Sequence, residues 1–140
     1  MKKNLIARIL IGLVTAWNLQ AAFAFLFWPA QVAGAYELSG AAGAAAMRGV
    51  AVLFMMWNVP YVFALWSPTR FRLALTLAVI MQFVGLVGES YILTTLTVDH
   101  AILRASILRF IIFDGAGLVL LVIALFLSRQ AYRDIYVAIP

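Results

Sequence analysis

Residues 71–96 read FRLALTLAVIMQFVGLVGESYILTTL. Arg72 near the start and Glu89 near the end are the charges in this run. It is long enough to cross a bilayer as a helix, which takes about 20 apolar residues. Its centre, Met81 to Ser90, holds Gln82, Gly85, Gly88 and Glu89. A charge at the bilayer centre costs about 2.5–3.5 kcal/mol on insertion scales, and less near the edge. A carboxylate in this position therefore needs a reason, and the rest of the chain is read with that question in view.

Outward from this run the composition keeps the same character. Of the 140 residues, 66% are apolar and 11% charged, where a soluble domain is about half apolar and a quarter charged. One soluble domain of this size could not hide so much apolar surface, so the solvent is lipid. There is no cysteine, which removes disulfides, thiolate metal sites and thiol redox chemistry on the protein itself. The single histidine, His100, cannot form a metal site alone, and no cofactor or metal is expected. Net charge is +5, but the basic residues flank apolar runs. They read as topology signals and not as a nucleic-acid surface.

Three more spans follow, giving an all-α, polytopic, four-transmembrane-helix bundle that forms a single domain over residues 1–140. The first is expected over residues 4–28. Lys2, Lys3 and the Ala22-Phe23-Ala24 triplet also fit a signal peptide. The apolar run continues past that triplet through Trp28, however, which favours a mature helix. Pro29 ends it, and residues 29–38 read as a loop. The second span, residues 39–66, has Ser39 as a plausible N-cap. It opens on the small residues Gly40 to Ala46, which allow close helix packing in membranes. Pro60 lies inside this span and predicts a kink, with Asn58 placed to help satisfy the freed carbonyl. The third span is residues 71–96. The fourth is residues 100–128, with Asp99 as a cap, followed by a polar tail over 129–140 in which Tyr132 and Tyr136 suit a membrane surface.

The positive-inside rule then orients the chain. The termini and the 67–72 turn hold Lys2, Lys3, Arg8, Arg70, Arg72, Arg129 and Arg133, whereas the other two loops and their helix ends hold Arg48, Arg104 and Arg109. Both termini are expected in the cytoplasm, with the chain in a bacterial inner membrane.

Depth can be estimated from the helical rise of about 1.5 Å per residue. Arg48 and Arg109 fall near the outer rim. Glu89 lies about 10 Å from the outer end of its helix, and Asp114 about 7–8 Å deeper than Arg109. Asn18, Gln20, Asn58 and Gln82 fall near mid-membrane. Four unpaired charges would burden so small a bundle, so Arg48 and Arg109 are expected to pair with Glu89 and Asp114. Gln82 and Glu89 are seven residues apart and share a face with Gly85, which is expected to point inward.

Two readings of these groups compete. One is a structural salt-bridge network that fixes helix order. The other is an outward-open polar pocket, made by Arg48, Gln82, Glu89, Arg109 and Asp114, that takes a small ligand. For Asn18, Gln20 and Asn58 the plain reading is interhelical hydrogen bonding, and for His100 a polar helix-start residue.

No enzyme motif is present: there is no phosphate-binding glycine loop, HExxH or serine elbow. Glu89 as a general base would have no nucleophile or metal set beside it. The layout as a whole, with a first helix ending at Trp28-Pro29 and a glycine/alanine-rich entry with an arginine from Gly40 to Gly49, resembles the DoxX-like small four-helix bacterial membrane proteins. Some members of that group are linked to quinone-coupled sulfur oxidation or thiol redox systems. The absence of cysteine sets this chain apart from the thiol chemistry.

The functional expectation is an accessory or assembly subunit, or a self-associating membrane protein, in contact with lipid and other membrane subunits and with no nucleic acid. The alternative is a binder or carrier of a small amphipathic ligand, a quinone or a lipid.

Overall fold

In the computed structural model, which describes residues 2–136 and side chains as far as Tyr132, the chain is all-helical. Six helices follow in order: α1 (Lys2–Phe27), α2 (Pro29–Ala35), α3 (Gly40–Trp57), α4 (Val59–Trp66), α5 (Arg72–Thr95) and α6 (Ala101–Tyr136). With α3 and α4 read together as Gly40–Trp66, four segments are long and apolar enough to cross a membrane. That is the architecture of a multi-pass membrane protein. Large apolar side chains such as Leu53, Leu73, Val84 and Ile112 lie exposed on the outside of the bundle, as a lipid-facing surface requires.

Two elements differ from the sequence reading. Residues 29–35 form the short helix α2 and not a loop, because Pro29 is well placed in a first helical turn, where its missing N–H costs nothing. The expected tail from residue 129 instead continues α6 to Tyr136. The charges of this segment lower its hydropathy but not its helix propensity. Tyr132 meets Arg72, whose guanidinium sits 4.9 Å from its ring centre. The side chains of Arg133 and Tyr136, and residues 137–140, lie outside the described residues.

The second span is interrupted at Asn58, two residues before Pro60. The side-chain amide of Asn58 donates to the Phe54 carbonyl at 2.8 Å, which also accepts the Asn58 backbone N–H at 3.1 Å, so Asn58 fastens the last turn before the break. The two halves then take different neighbours. α4 packs on α5 and α1, while α3 packs on α1 and α2 and stands away from α5.

Two cores result. One joins α1, α4, α5 and α6 through Ile11, Val14, Tyr61, Leu75 and Leu121. The other lies at the α2 end, around Phe25, Ala33, Met47 and Ala51. There the Phe25 ring lies 5.6 Å from Phe54 and 6.0 Å from Phe110, contacts typical of offset or edge-on aromatic packing.

The loops at the α2 end are tied by polar contacts. α2 ends in a Schellman turn, in which Leu38 N–H bonds to Ala33 O and Glu37 N–H to Gly34 O. The position that usually takes glycine is held here by Glu37, with φ of 57°. Its carboxylate explains the choice. Glu37 Oε2 lies 2.5 Å from His100 Nδ1, and Oε1 accepts from Leu103 N–H at 3.3 Å. Glu37 thus caps the start of α6 from another turn. The His100 bond holds the Glu37 carboxyl below its usual range, partly opposed by desolvation and aided by Leu103. Ser39 occupies the N-cap position of α3 without a side-chain cap bond. Arg104 closes the end of α5 by donating to Leu96 O at 2.7 Å and Leu93 O at 3.3 Å.

Candidate functional site

The divergence of α3 from α5 leaves a cavity of about 310 Å³ between the two cores, and all four spans reach it. α1 contributes Trp17, Asn18, Gln20 and Ala21, and α3 with the break contributes Phe54, Trp57 and Asn58. α5 adds Gln82, Gly85 and Glu89, and α6 adds Phe110, Phe113 and Asp114. Five aromatic side chains and six polar or charged ones share the walls, a mixture of apolar surface and orienting groups that suits a small-molecule site.

A chain of hydrogen bonds runs along one wall. The Trp57 indole N–H donates to the Tyr61 hydroxyl at 3.2 Å. That hydroxyl donates towards Gln82 Oε1 at 2.6 Å and lies 3.1 Å from the Ala78 carbonyl. Gln82 Nε2 donates in turn to Asp114 Oδ1 at 2.8 Å. Tyr61 is fully buried and Gln82 nearly so. This wall is a rigid platform that fixes the Asp114 carboxylate at the cavity surface.

Two glycines make room for it. A Cβ on Gly85 would lie 2.5 Å from Asp114 Oδ2, and one on Gly117 would lie 2.9 Å from Gln82 Nε2 and 3.3 Å from Val14 Cγ1. Both spacings are too short for a real side chain.

The expected charge network takes a different form. Among the described residues, neither Glu89 nor Asp114 forms an ion pair with an arginine; the pair present joins His100 to Glu37. Arg48 is exposed on α3 and does not line the cavity. Arg109 is also exposed, and its guanidinium bonds to the Ser106 hydroxyl at 3.1 Å and the Ala105 carbonyl at 3.4 Å. It borders a second cavity of about 290 Å³ under α2, with Gln31, Tyr36 and Ser106. Tyr36 on this second cavity has a raised phenol pKa. Burial and then the charge of Glu89 push its phenol above the usual range, while Arg109 pulls the other way. The arginines miss the carboxylates because helical phase, which a charge count does not carry, turns them outward.

Asn18, Gln20, Asn58 and Gln82 do converge on the one cavity. Gln82 and Asp114 bond directly, whereas Glu89 faces the cavity without a hydrogen-bond partner among the described residues. Asn58 is 2% exposed, and its Oδ1 is buried with no partner.

Tyr61 has a place in this wall that the sequence analysis does not assign: its hydroxyl falls mid-span, where a phenol must find partners. No family model, curated protein or solved structure matches the chain.

Proposed function

We propose that the chain is a membrane-embedded binding protein for a small amphipathic molecule that occupies the cavity between the two cores. One observation carries this reading. The polar groups on the cavity wall are not all used up by one another: the carboxylate of Glu89 faces this space with no partner among the described residues, and Asn18 and Gln20 line it as well. A purely structural network would satisfy its members. The aromatic lining suits the apolar part of such a molecule, and the polar wall suits its head.

The test is native mass spectrometry on protein extracted gently from its host membrane. Wild-type protein is expected to carry a bound small molecule. Ala21→Phe, which fills the cavity from α1, is expected to fold and lose it. A bare wild-type mass that Ala21→Phe leaves unchanged would sink the reading.

Self-association or service as an accessory subunit is the second reading. It rests on Ala42, Ala45 and Gly49, which lie on an exposed face of α3, with open space beside Gly49. Small residues at such spacing let a second helix approach closely. The same spectra test it, since Gly49→Leu should convert an oligomer to a monomer. A bacterial inner membrane, cytoplasmic termini and kinship with the DoxX-like group complete the proposal, supported by the distribution of Lys and Arg and by the four-span layout.

A further inference from the structure

We infer that the cavity takes a lipophilic organic cation, such as a protonated amine carried on an aromatic or alkyl body. This rests on the binding reading above and names its ligand class. The argument is an inventory of which polar atoms on the wall are still free to bond.

The charged free atoms are acceptors, whereas the amides of Asn18 and Gln20, which also line the cavity, offer both donors and acceptors. Asp114 Oδ1 receives the Gln82 amide, but Oδ2, seated over Gly85, receives no donor among the described residues. Glu89 receives none on either oxygen among the described residues. Asn58 spends its amide on the Phe54 carbonyl, and its Oδ1 remains unpartnered at 2% exposure. Gln82 is spent at both ends, on Tyr61 and on Asp114.

Charge points the same way. Two carboxylates line the cavity, and no lysine or arginine does. The nearest arginine in the fold's logic, Arg109, belongs to the neighbouring cavity and is held on Ser106. A carboxylate in an apolar setting is expensive without a counter-charge. An ammonium group supplies that charge together with N–H donors for Asp114 and Glu89. The remaining wall, with Trp17, Phe54, Trp57, Phe110 and Phe113, offers ring faces that favour a cation. A quinone fits the charge less well: its carbonyls could accept from the Asn18 or Gln20 amide, but it would leave both carboxylates without a counter-charge. An anionic lipid head would face the same repulsion.

The test uses three probes of one shape and different charge: phenylpropylammonium, phenylpropanol and phenylpropanoate. Binding is measured by calorimetry on purified protein in detergent, with the protein-free micelle signal subtracted. The ammonium probe is expected to bind at least about tenfold tighter than the alcohol, a difference of about 1.4 kcal/mol. Asp114→Asn and Glu89→Gln should each erase most of that preference while still binding the alcohol. Arg48→Gln, outside the cavity, should keep it.

Asp114 is tied into the packing, so Asp114→Asn is also checked for folding by gel filtration. Glu89→Gln has no such tie and carries the test alone if the other variant misfolds. If the alcohol or the carboxylate binds as tightly as the ammonium, the cation inference falls and the binding reading stands. If no probe binds saturably above micelles, both fall.

Discussion

Gln82 on α5 donates its amide to Asp114 on α6 at 2.8 Å, and each side chain rests against a glycine of the other's helix. Asp114 sits over Gly85, and Gln82 sits over Gly117. The arrangement is reciprocal. Each helix offers a polar residue and, three positions on, the glycine that receives its partner. Antiparallel packing of α5 and α6 brings the two halves into register.

Alanine at either glycine should break this arrangement. Crowding a packed site costs about 1–3 kcal/mol, and the helix propensity gained from glycine to alanine returns at most about 1 kcal/mol of it. Gly117→Ala should be the worse of the two, because its Cβ meets both Gln82 and Val14. Gln82 is also anchored at both ends and cannot easily move aside. Fluorescence-detected gel filtration after a heat step is expected to rank the proteins wild type, Gly85→Ala, then Gly117→Ala. Wild-type stability in both variants would remove the reciprocal seat.

Tyr61→Phe isolates the hydroxyl. The substitution keeps the ring in the core and strands Gln82 Oε1 and the Trp57 N–H. Leaving buried polar groups unsatisfied costs about 1–3 kcal/mol. A lower midpoint of thermal inactivation is therefore expected, with little change in Trp66 or the surface. Gln82→Leu in the Tyr61→Phe background should not recover the loss, because it also removes the amide from which Asp114 Oδ1 accepts. Recovery would mean that the Gln82–Asp114 bond contributes little.

The Glu37–His100 contact predicts a pH-dependent difference. The Glu37 carboxyl titrates below its ordinary 4.5 because His100 bonds to it. A group whose folded pKa is depressed stabilises the fold above its unfolded value, and that contribution fades as pH falls through the folded value. The melting gap between wild type and His100→Ala should therefore be full above the ordinary carboxylate value of 4.5 and close as the pH falls through the depressed folded value. A gap that persists at the acid end would assign the contact to packing. Glu37→Gly tests the backbone separately, because glycine suits the positive φ of that position. In the His100→Ala background its backbone gain is set against the loss of the Leu103 cap, so a small net change is expected. Strong destabilisation would mean that the cap outweighs the backbone.

Topology can be mapped without background, since the chain has no cysteine. Single cysteines replacing Lys3, Arg70 and Asp99 would be labelled with a membrane-impermeant maleimide on whole cells and on inverted vesicles. Lys3→Cys and Arg70→Cys should react from the same face, the interior one. Asp99→Cys should react from the other. Labelling of all three from one face would overturn the four-span topology.

The four spans are legible in the sequence because length and hydropathy alone decide them. Convergence of Asn18, Gln20, Asn58, Gln82, Glu89 and Asp114 is legible too, since depth along a helix follows from residue number. Partner choice is not. Whether Asp114 meets Arg109 or Gln82 depends on helix rotation and on Gly85 and Gly117 facing across a seam. Those relations exist only once α5 and α6 are docked. α2 escapes notice for a different reason: seven residues containing Pro29 and Gly34 carry too little periodicity to separate a turn of helix from a loop. Arg104 looks like a topology charge, yet it caps α5, because a long side chain reaches back across a short turn.

The interruption at Asn58 has a mechanical consequence. The second span is two levers and not one rod. The lever after the break is clamped by Tyr61 and Ala64 in the larger core. The lever before it leans on α1 and α2 and forms one jamb of the cavity. The two halves therefore answer to different neighbours: the wall that α3 gives the cavity is set by its packing on α1 and α2, apart from the α4–α5 contact that holds Tyr61.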